Sequence, residues 1–482
     1  MINYLFIYPE IIISAGLCII IIIDLFISTN YRSISYYLIQ IILAYCAYHI
    51  FSYSEFMNTN TSSLYDTSTF SNIFKVFIIL ILLLIFYYTS IFLKYFNKYK
   101  TEYFVISLFG LLGMMIMISS QHLLLLYLGI ELLSLSLYSI IAFNKNSLFS
   151  SEAAVKYYIL GAISSGFLLF GISLIYGLTG SLFYHEIIEQ LSLLNVNPLE
   201  NDMRILGLVF ALIFISISLS FKFGAAPFHM WIPDVYHGSM ITTTLMLSTI
   251  PKIAVFIILI KLLGSVFSSL YIFWIDMLLI LSILSLLIGN IIAISQKNIK
   301  RMLAYSTIAN IGFIFLGISM GSIDSYKAAM FYTLTYVITT IGAFGLLSQL
   351  IYKNKPIEDI QELSGLSRNQ PFPAFLLMVI MLSYIGIPPF IGFHAKLFII
   401  QSLVHSEYIA LGIFAVLMTV IGSYYYLRVI KVIYFDNESE ELKSTSSYIV
   451  TGLYVIILIL LGIFPDILGQ LSGYSIANLF NT

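Results

Sequence analysis

Five ionisable side chains stand where a chain of this hydropathy should carry none: Glu131, Lys156, Lys222, Lys252 and Lys396. Each falls inside, or close to the end of, an apolar run long enough to be most of a bilayer crossing. A charge near the bilayer centre costs about 2.5 to 3.5 kcal/mol, so five unpaired ones would cost more than about ten. Such groups are tolerated where they face protein or a water-filled cavity, and several together mark an ion path. Lysine and glutamate both titrate, so the chemistry available is proton transfer. Desolvation favours the neutral lysine, while a nearby carboxylate favours the charged one, so a change of partner switches a lysine between holding and releasing its proton. Glu131 with Lys222 is the natural modulating pair, with Lys252 as the next station and Lys396 as the terminal one. Lys156 lies near a span end, where snorkelling to the interface competes with the relay role.

The elements that must position these groups are broken helices. The run Leu219-Ser220-Phe221-Lys222-Phe223-Gly224-Ala225-Ala226-Pro227-Phe228 ends an apolar stretch that starts near Ile205. A helix reaching Lys222 should lose its hydrogen-bond ladder between Gly224 and Pro227, because proline lacks the amide donor and clashes with the preceding turn. Leu382-Ser383-Tyr384-Ile385-Gly386-Ile387-Pro388-Pro389-Phe390 repeats the device, eight residues before Lys396 is reached from Pro388. His229 and His237 flank the first break, and each is either a relay member or a hydrogen-bonded packing histidine. Glu10, Asp24 and Asp276 lie near helix ends and read as solvated.

With 60% hydrophobic and 9% charged residues and a mean hydropathy of +0.99, the 482-residue chain has too little interior to hide its apolar surface in water. It reads as an all-α polytopic membrane protein of about fourteen spans, near 5–27, 34–53, 73–93, 103–119, 122–143, 153–178, 205–223, 240–263, 271–294, 301–320, 327–351, 372–402, 407–434 and 447–469. Segments 54–72, 182–204 and 353–370 read as loops, the last with a short surface helix over 357–363. The first apolar stretch lacks the basic flank and cleavage site of a signal peptide. The net charge of -1 excludes electrostatic attraction to nucleic acid, and Cys18 and Cys46 have no metal-ligand spacing.

Most Lys and Arg, among them Arg32, Lys94, Lys98, Lys100, Lys297, Lys300 and Arg301, fall in or beside odd-numbered loops, which therefore face the cytoplasm or mitochondrial matrix, with both termini opposite. The two break motifs, in the seventh and twelfth spans, are five helices apart, and an odd number of helices inverts the second copy of a repeat. The expected organisation is an N-terminal three-helix segment (1–100), two inverted five-helix repeats (101–265 and 266–435) and a C-terminal helix (436–482).

At this point the residues carry a resemblance. Ile130-Glu131-Leu132-Leu133-Ser134, Glu152-Ala153-Ala154-Val155-Lys156-Tyr157-Tyr158, Ala226-Pro227-Phe228-His229-Met230-Trp231, Pro233-Asp234-Val235-Tyr236, Arg301-Met302-Leu303-Ala304-Tyr305-Ser306 and Gly386-Ile387-Pro388-Pro389 to Lys396 look like the subunit N family of respiratory complex I, called subunit 2 in mitochondria. That family belongs to the antiporter-like, proton-translocating membrane subunits of NADH:quinone oxidoreductase. Within that superfamily, the lysine at 396 and a chain that stops at Thr482 both resemble subunit N more than its larger relatives. The resemblance implies that Glu131, Lys156, Lys222, Lys252 and Lys396 are the family's membrane-embedded ionisable residues. It further implies other complex I membrane-arm subunits as partners, an energy-transducing inner membrane (bacterial or mitochondrial) as location, and no cofactor on this chain. The sequence has no Gly-x-Gly-x-x-Gly, cysteine cluster or phosphate loop, so NADH, FMN, iron–sulfur and quinone sites are expected on partner subunits. Two departures stand out: Gly238-Ser239-Met240-Ile241-Thr242 replaces a run that usually contains proline, and Asn310 stands where related subunits often have histidine. The alternative reading is a subunit of a multisubunit Na+(K+)/H+ antiporter, which shares the fold.

Overall fold

The computed structural model describes residues 7–26, 33–57, 64–96, 100–193, 203–437, 442–444 and 448–480. Arg32 and Lys98, counted above among the inner-face charges, and parts of the first two expected loops (58–63 and 194–202) lie outside the described residues.

In hydrocarbon every backbone N–H and C=O must be satisfied within its own segment, so apolar runs of this length become helices. They are α1 (Tyr8–Phe26), α2 (Ser33–Met57), α3 (Thr69–Tyr95), α4 (Thr101–Ser119), α5 (Leu123–Ile141), α6 (Leu148–Thr179), α7 (Tyr184–Ser192), α8 (Met203–Phe223), α9 (Trp231–Gly238), α10 (Ile241–Ser248) and α11 (Ile250–Leu259). A π-helical turn over Ile260–Val266 extends α11, and then follow α12 (Tyr271–Ser295), α13 (Ile299–Ser319), α14 (Ile323–Gln349), α15 (Leu366–Asn369), α16 (Pro371–Ile385), α17 (Ile391–His405), α18 (Ile409–Phe435), α19 (Ile449–Ile463) and α20 (Asp466–Phe480). Among the described residues, twelve stretches are helical, long and apolar enough to cross a membrane.

The twelfth span is interrupted where the break was expected, into two 15-residue helices, α16 and α17. Three other expectations are corrected in detail. The fourteenth span ends at Ile463 and turns by 78° into α20, an element not foreseen, because Pro465 follows the helix end and cannot continue the ladder. Residues 357–363 hold a single 3-10 turn, Ile360–Leu363, beside a small antiparallel sheet of β1 (Leu350–Tyr352), β2 (Lys355–Pro356) and β3 (Leu442–Ser444) in the order β2-β1-β3. The loop expected over 182–204 carries the short helix α7.

Burial separates the helices into a centre and a rim. The spans Ile241–Val266 and Ile323–Gln349 are wholly enclosed by protein and Ile299–Ser319 is 94% buried, whereas α1 and α18 are only 33% buried. The polar residues of α10, α11, α13 and α14 therefore face other helices and not lipid. Small residues let backbones meet. A side chain added at Gly113 would run into the Gly129 carbonyl, and one at Gly129 into the Gly113 carbonyl, so α4 and α5 cross in direct backbone contact. The same arrangement of neighbours recurs along the chain: α6 packs on both α8 and α9, and α14 packs on both α16 and α17.

Candidate functional site: a row of lysines at two helix breaks

The first break is built as the residue types require. Helix α8 ends at Phe223, and Gly224 takes a φ of +95°, a left-handed conformation open to glycine at little cost. The amides of Gly224 and Ala225 both return to the Ser220 carbonyl, and the Ala226 amide is taken by the Ser285 hydroxyl at 2.9 Å. The second break mirrors this: α16 ends at Ile385, Gly386 has a φ of +85°, and its amide bonds the Leu382 and Ser383 carbonyls. Pro227 and Pro388–Pro389 lie in the two interruptions, and each interruption contains a cis X–Pro bond.

Each break exposes carbonyls at the negative end of a half-helix, and in each a lysine from elsewhere takes them. Lys252, on α11, donates to the Phe223 carbonyl at 2.7 Å; its ammonium also lies 5.2 Å from the centre of the Trp231 ring. Lys396, on α17, donates to the Tyr384 and Ile385 carbonyls at 2.9 and 2.8 Å. Lys252 is 1% exposed and Lys222 8%. Lys222 donates to the Ser134 hydroxyl at 2.7 Å, three residues along α5 from Glu131. Among the described residues Lys222 thus reaches α5 without a direct ion pair to Glu131, whose Oε1 atom is buried with no hydrogen-bond partner.

Lys156 lies apart. Its side chain is 42% exposed and bridges Glu152 at 2.7 Å and Asp234 at 2.8 Å, while the other oxygen of Asp234 accepts from Arg301 at 2.8 Å. Lys156 thus takes the exposed span-end position that competed with its relay reading, in a charge cluster with Glu152, Asp234 and Arg301. Sequence reasoning missed Asp234 and Arg301 as members of this cluster, although both lie in motifs singled out above. His237 is half-buried beside Phe149, and its backbone carbonyl, with that of Ser239, accepts from Lys300 at 2.7 and 3.1 Å. Those bonds, and the Thr244 hydroxyl on the Tyr236 carbonyl, set the shape of the Gly238–Thr242 connection without proline. A cavity of about 200 Å³ opens there, between His237, Lys300, Glu358 and Asn144. His229, after the first break, faces Tyr305.

Between the two breaks runs a band of hydroxyls that sequence reasoning also missed, Asn310 apart. Tyr332 donates to the Asn310 side-chain oxygen at 2.7 Å, the Asn310 amide donates to the Ser306 carbonyl at 2.8 Å, and the Ser306 hydroxyl meets Tyr426. Tyr336 donates to Thr307 and Tyr384 to Thr340, each at 2.9 Å. A cavity of about 20 Å³, about the size of one water, is lined by Asn310, Tyr332, Thr335, Ser383 and Lys396. The sequence signal was present as polar residues spaced three and four apart on α13 and α14, but nothing local distinguishes such a face from ordinary Ser and Thr back-bonding within a helix.

Buried lysines thus take the carbonyl ends of two broken helices, with a polar band beside Lys396. Comparison with known proteins gives the family of the chain. A model of the NADH:quinone oxidoreductase/Mrp antiporter transmembrane family matches residues 120–422. The chain is 43% identical over 483 residues to the NADH-quinone oxidoreductase subunit N of Thioalkalivibrio sulfidiphilus, covering 98% of both chains. It belongs to the subunit N family. Other members include the subunit N of Ruthia magnifica, 39% identical with 95% of each chain covered. A chain of respiratory complex I from Thermus thermophilus superposes with a TM-score of 0.79 at 27% identity, over 96% of this chain and 98% of that one. A chain of the Mrp complex from a Dietzia species superposes at 0.81 with 18% identity, which is a likeness of fold.

Proposed function

We propose that this subunit N family member moves protons across an energy-transducing inner membrane as an antiporter-like membrane-arm subunit of NADH-quinone oxidoreductase, with Lys222, Lys252 and Lys396 as the relay and Glu131 as its modulator. The observation that carries the reading is the paired capping: Lys252 and Lys396 each hold the carbonyl end of a broken half-helix. The carbonyl end of a half-helix carries a partial negative charge, and a displacement of that half-helix alters how firmly the lysine there holds its proton. Lys156, with Asp234 and Arg301, lies on the inner side as the entry cluster, and the Asn310 band is the link towards Lys396.

In this reading the chain does no redox chemistry. NADH, flavin, iron–sulfur clusters and quinone belong to partner subunits, and neighbouring antiporter-like subunits pack on the membrane faces. Quinone reduction there shifts charge along the membrane arm, and this subunit converts the shift into proton transfer against a field worth about 2.3 kcal/mol per charge per 100 mV. The two five-helix repeats, 101–265 and 266–435, supply one break each.

The test is NADH-driven quinone reduction and proton uptake, side by side, in membrane vesicles carrying wild type or Lys222→Ala. Loss of both with the complex still assembled supports the reading. If both are untouched, Lys222 is outside any coupled path, and sodium-dependent exchange is then the assay that decides for the antiporter alternative.

A further inference from the structure

Two buried ion pairs lie outside the relay, on the side away from the Lys156 cluster. Lys75 of α3 is fully buried with its ammonium 2.8 Å from Glu10 of α1, a residue expected to be solvated and here 5% exposed. Lys261 is 4% exposed in the π-helical turn that extends α11, and lies 2.6 Å from Asp66. The Tyr65 hydroxyl stands between the pairs, interacting with both Glu10 and Asp66, and Lys75 lies 4.9 Å from the centre of its ring. Cys46 of α2 completes the titratable lining.

The two pairs are not equivalent. Lys261 has all three protons engaged, by Asp66, the Ser71 hydroxyl and the Ile118 carbonyl. Asp66 accepts in addition from the Ser68 amide and the Ser71 hydroxyl. Burial alone would raise the Asp66 carboxyl, but the Lys261 ammonium and these donors hold it down at about 2, so it stays ionised. Glu10 and Lys75 have fewer partners: Lys75 lies 2.8 Å from Glu10, and Glu10 has Lys75 and the Tyr65 hydroxyl beside it. A buried pair with so few partners calls for an explanation.

Placement supplies one. Lys261 is nine residues beyond Lys252 in one continuous helical stretch, about 13 to 14 Å along the axis at 1.5 Å per residue. Beside the cluster, residues 64–66 run antiparallel to 119–121, with Asp66 bonded to the Ser119 carbonyl and Gln121 to that of Leu64, which is itself exposed. By the distribution of Lys and Arg this is the face opposite the cytoplasm or matrix.

We propose that the Glu10–Lys75 pair is the outer-face proton-release station of the subunit, with Asp66–Lys261 as the fixed charge pair that holds it. This rests on the relay reading. A proton arriving from the core adds to a Glu10 carboxylate oxygen, weakening its attraction to Lys75. That O–H bond then breaks to water on the outer face, and the ion pair re-forms.

The test uses the intact complex in vesicles, with quinone reduction and proton uptake read together for Glu10→Gln, Glu10→Asp, the double replacement Glu10→Met with Lys75→Met, and Lys252→Met. The expected result is that Glu10→Gln and the double replacement assemble but lose most of both rates, while Glu10→Asp recovers them. Removing one partner of a buried pair destabilises more than removing both, so the double replacement decides the question where Glu10→Gln assembles poorly. Wild-type rates in the double replacement or in Glu10→Gln would overturn the proposal, as would failure of every Glu10 variant to assemble, which would assign the pair to folding. Wild-type rates in Lys252→Met would overturn the relay itself. Loss there, with Glu10→Gln at wild-type rates, would remove the outer station alone.

Discussion

The ammonium of Lys252 lies 2.7 Å from the carbonyl oxygen of Phe223, the last residue of α8, so a side chain 29 residues away in sequence completes a helix that its own backbone cannot. Lys252→Met should leave that carbonyl without its donor in a buried site, a loss of about 1 to 3 kcal/mol, and abolish proton uptake. Lys252→Arg should not rescue it, because the planar guanidinium cannot place one compact charge at this point and does not deprotonate in proteins. Proton uptake and thermal stability of the purified complex measure the two effects separately.

Ser134 holds the Lys222 ammonium at 2.7 Å while donating its own hydrogen to the Ile130 carbonyl. Ser134→Ala is expected to cost about 1.5 to 3 kcal/mol at Lys222 and to let the lysine turn towards Glu131. Proton uptake should fall by less than in Lys222→Ala, and the shortfall should vanish in the Glu131→Gln background if Glu131 is the alternative partner.

A side chain at Gly386 would adopt a left-handed backbone conformation and press on the Cδ of Lys396 at 3.0 Å. Gly386→Ala is expected to destabilise by about 1 to 3 kcal/mol and to impair transport through the displaced lysine. Gly412→Ala, where an added side chain meets open space, serves as the control. The comparison is a melting curve and a transport rate for each.

Asp234 accepts from both Lys156 and Arg301, and all three side chains are about a third exposed or more. Exposed pairs contribute about 0 to 1 kcal/mol, so Asp234→Asn should assemble with unchanged thermal stability. Any fall in proton uptake would then report the path and not the fold, and unchanged uptake would place this cluster outside it.

Asp66 is held at about 2, below its ordinary value of about 3.9, so the folded state binds fewer protons there than the unfolded chain does. Its contribution to stability is therefore complete above about pH 4 and is lost as the pH falls through about 2. Asp66→Asn should remove that contribution at neutral pH and leave Lys261 buried without its counter-ion. Thermal unfolding of the complex at pH 7 and at successively lower pH reads both.

Hydropathy, breaks and family were legible in the sequence because each is local. Burying twenty apolar residues requires no knowledge of neighbours, and Gly224 to Pro227 and Gly386 to Pro389 interrupt a helix whatever surrounds them. The lysines drew notice for the same reason, since a charge in an apolar run is costly wherever it points. Partners could not be read. Glu10 looked solvated near a helix end and is buried against Lys75, while Lys156, open to either a relay or a snorkelling reading, is partly exposed between Glu152 and Asp234. Which way a side chain faces depends on how each helix is rotated against its neighbours, and that rotation is decided by packing across the whole bundle. The sequence by itself determined the membrane class, the two breaks and the set of titratable groups. Only the tertiary structure decided that Lys252 and Lys396 cap the broken ends, that hydroxyls from α13, α14, α16 and α18 join between them, and that two ion pairs are sealed at the far face. Those contacts join residues distant in sequence, and only the packed helices bring them within hydrogen-bonding range.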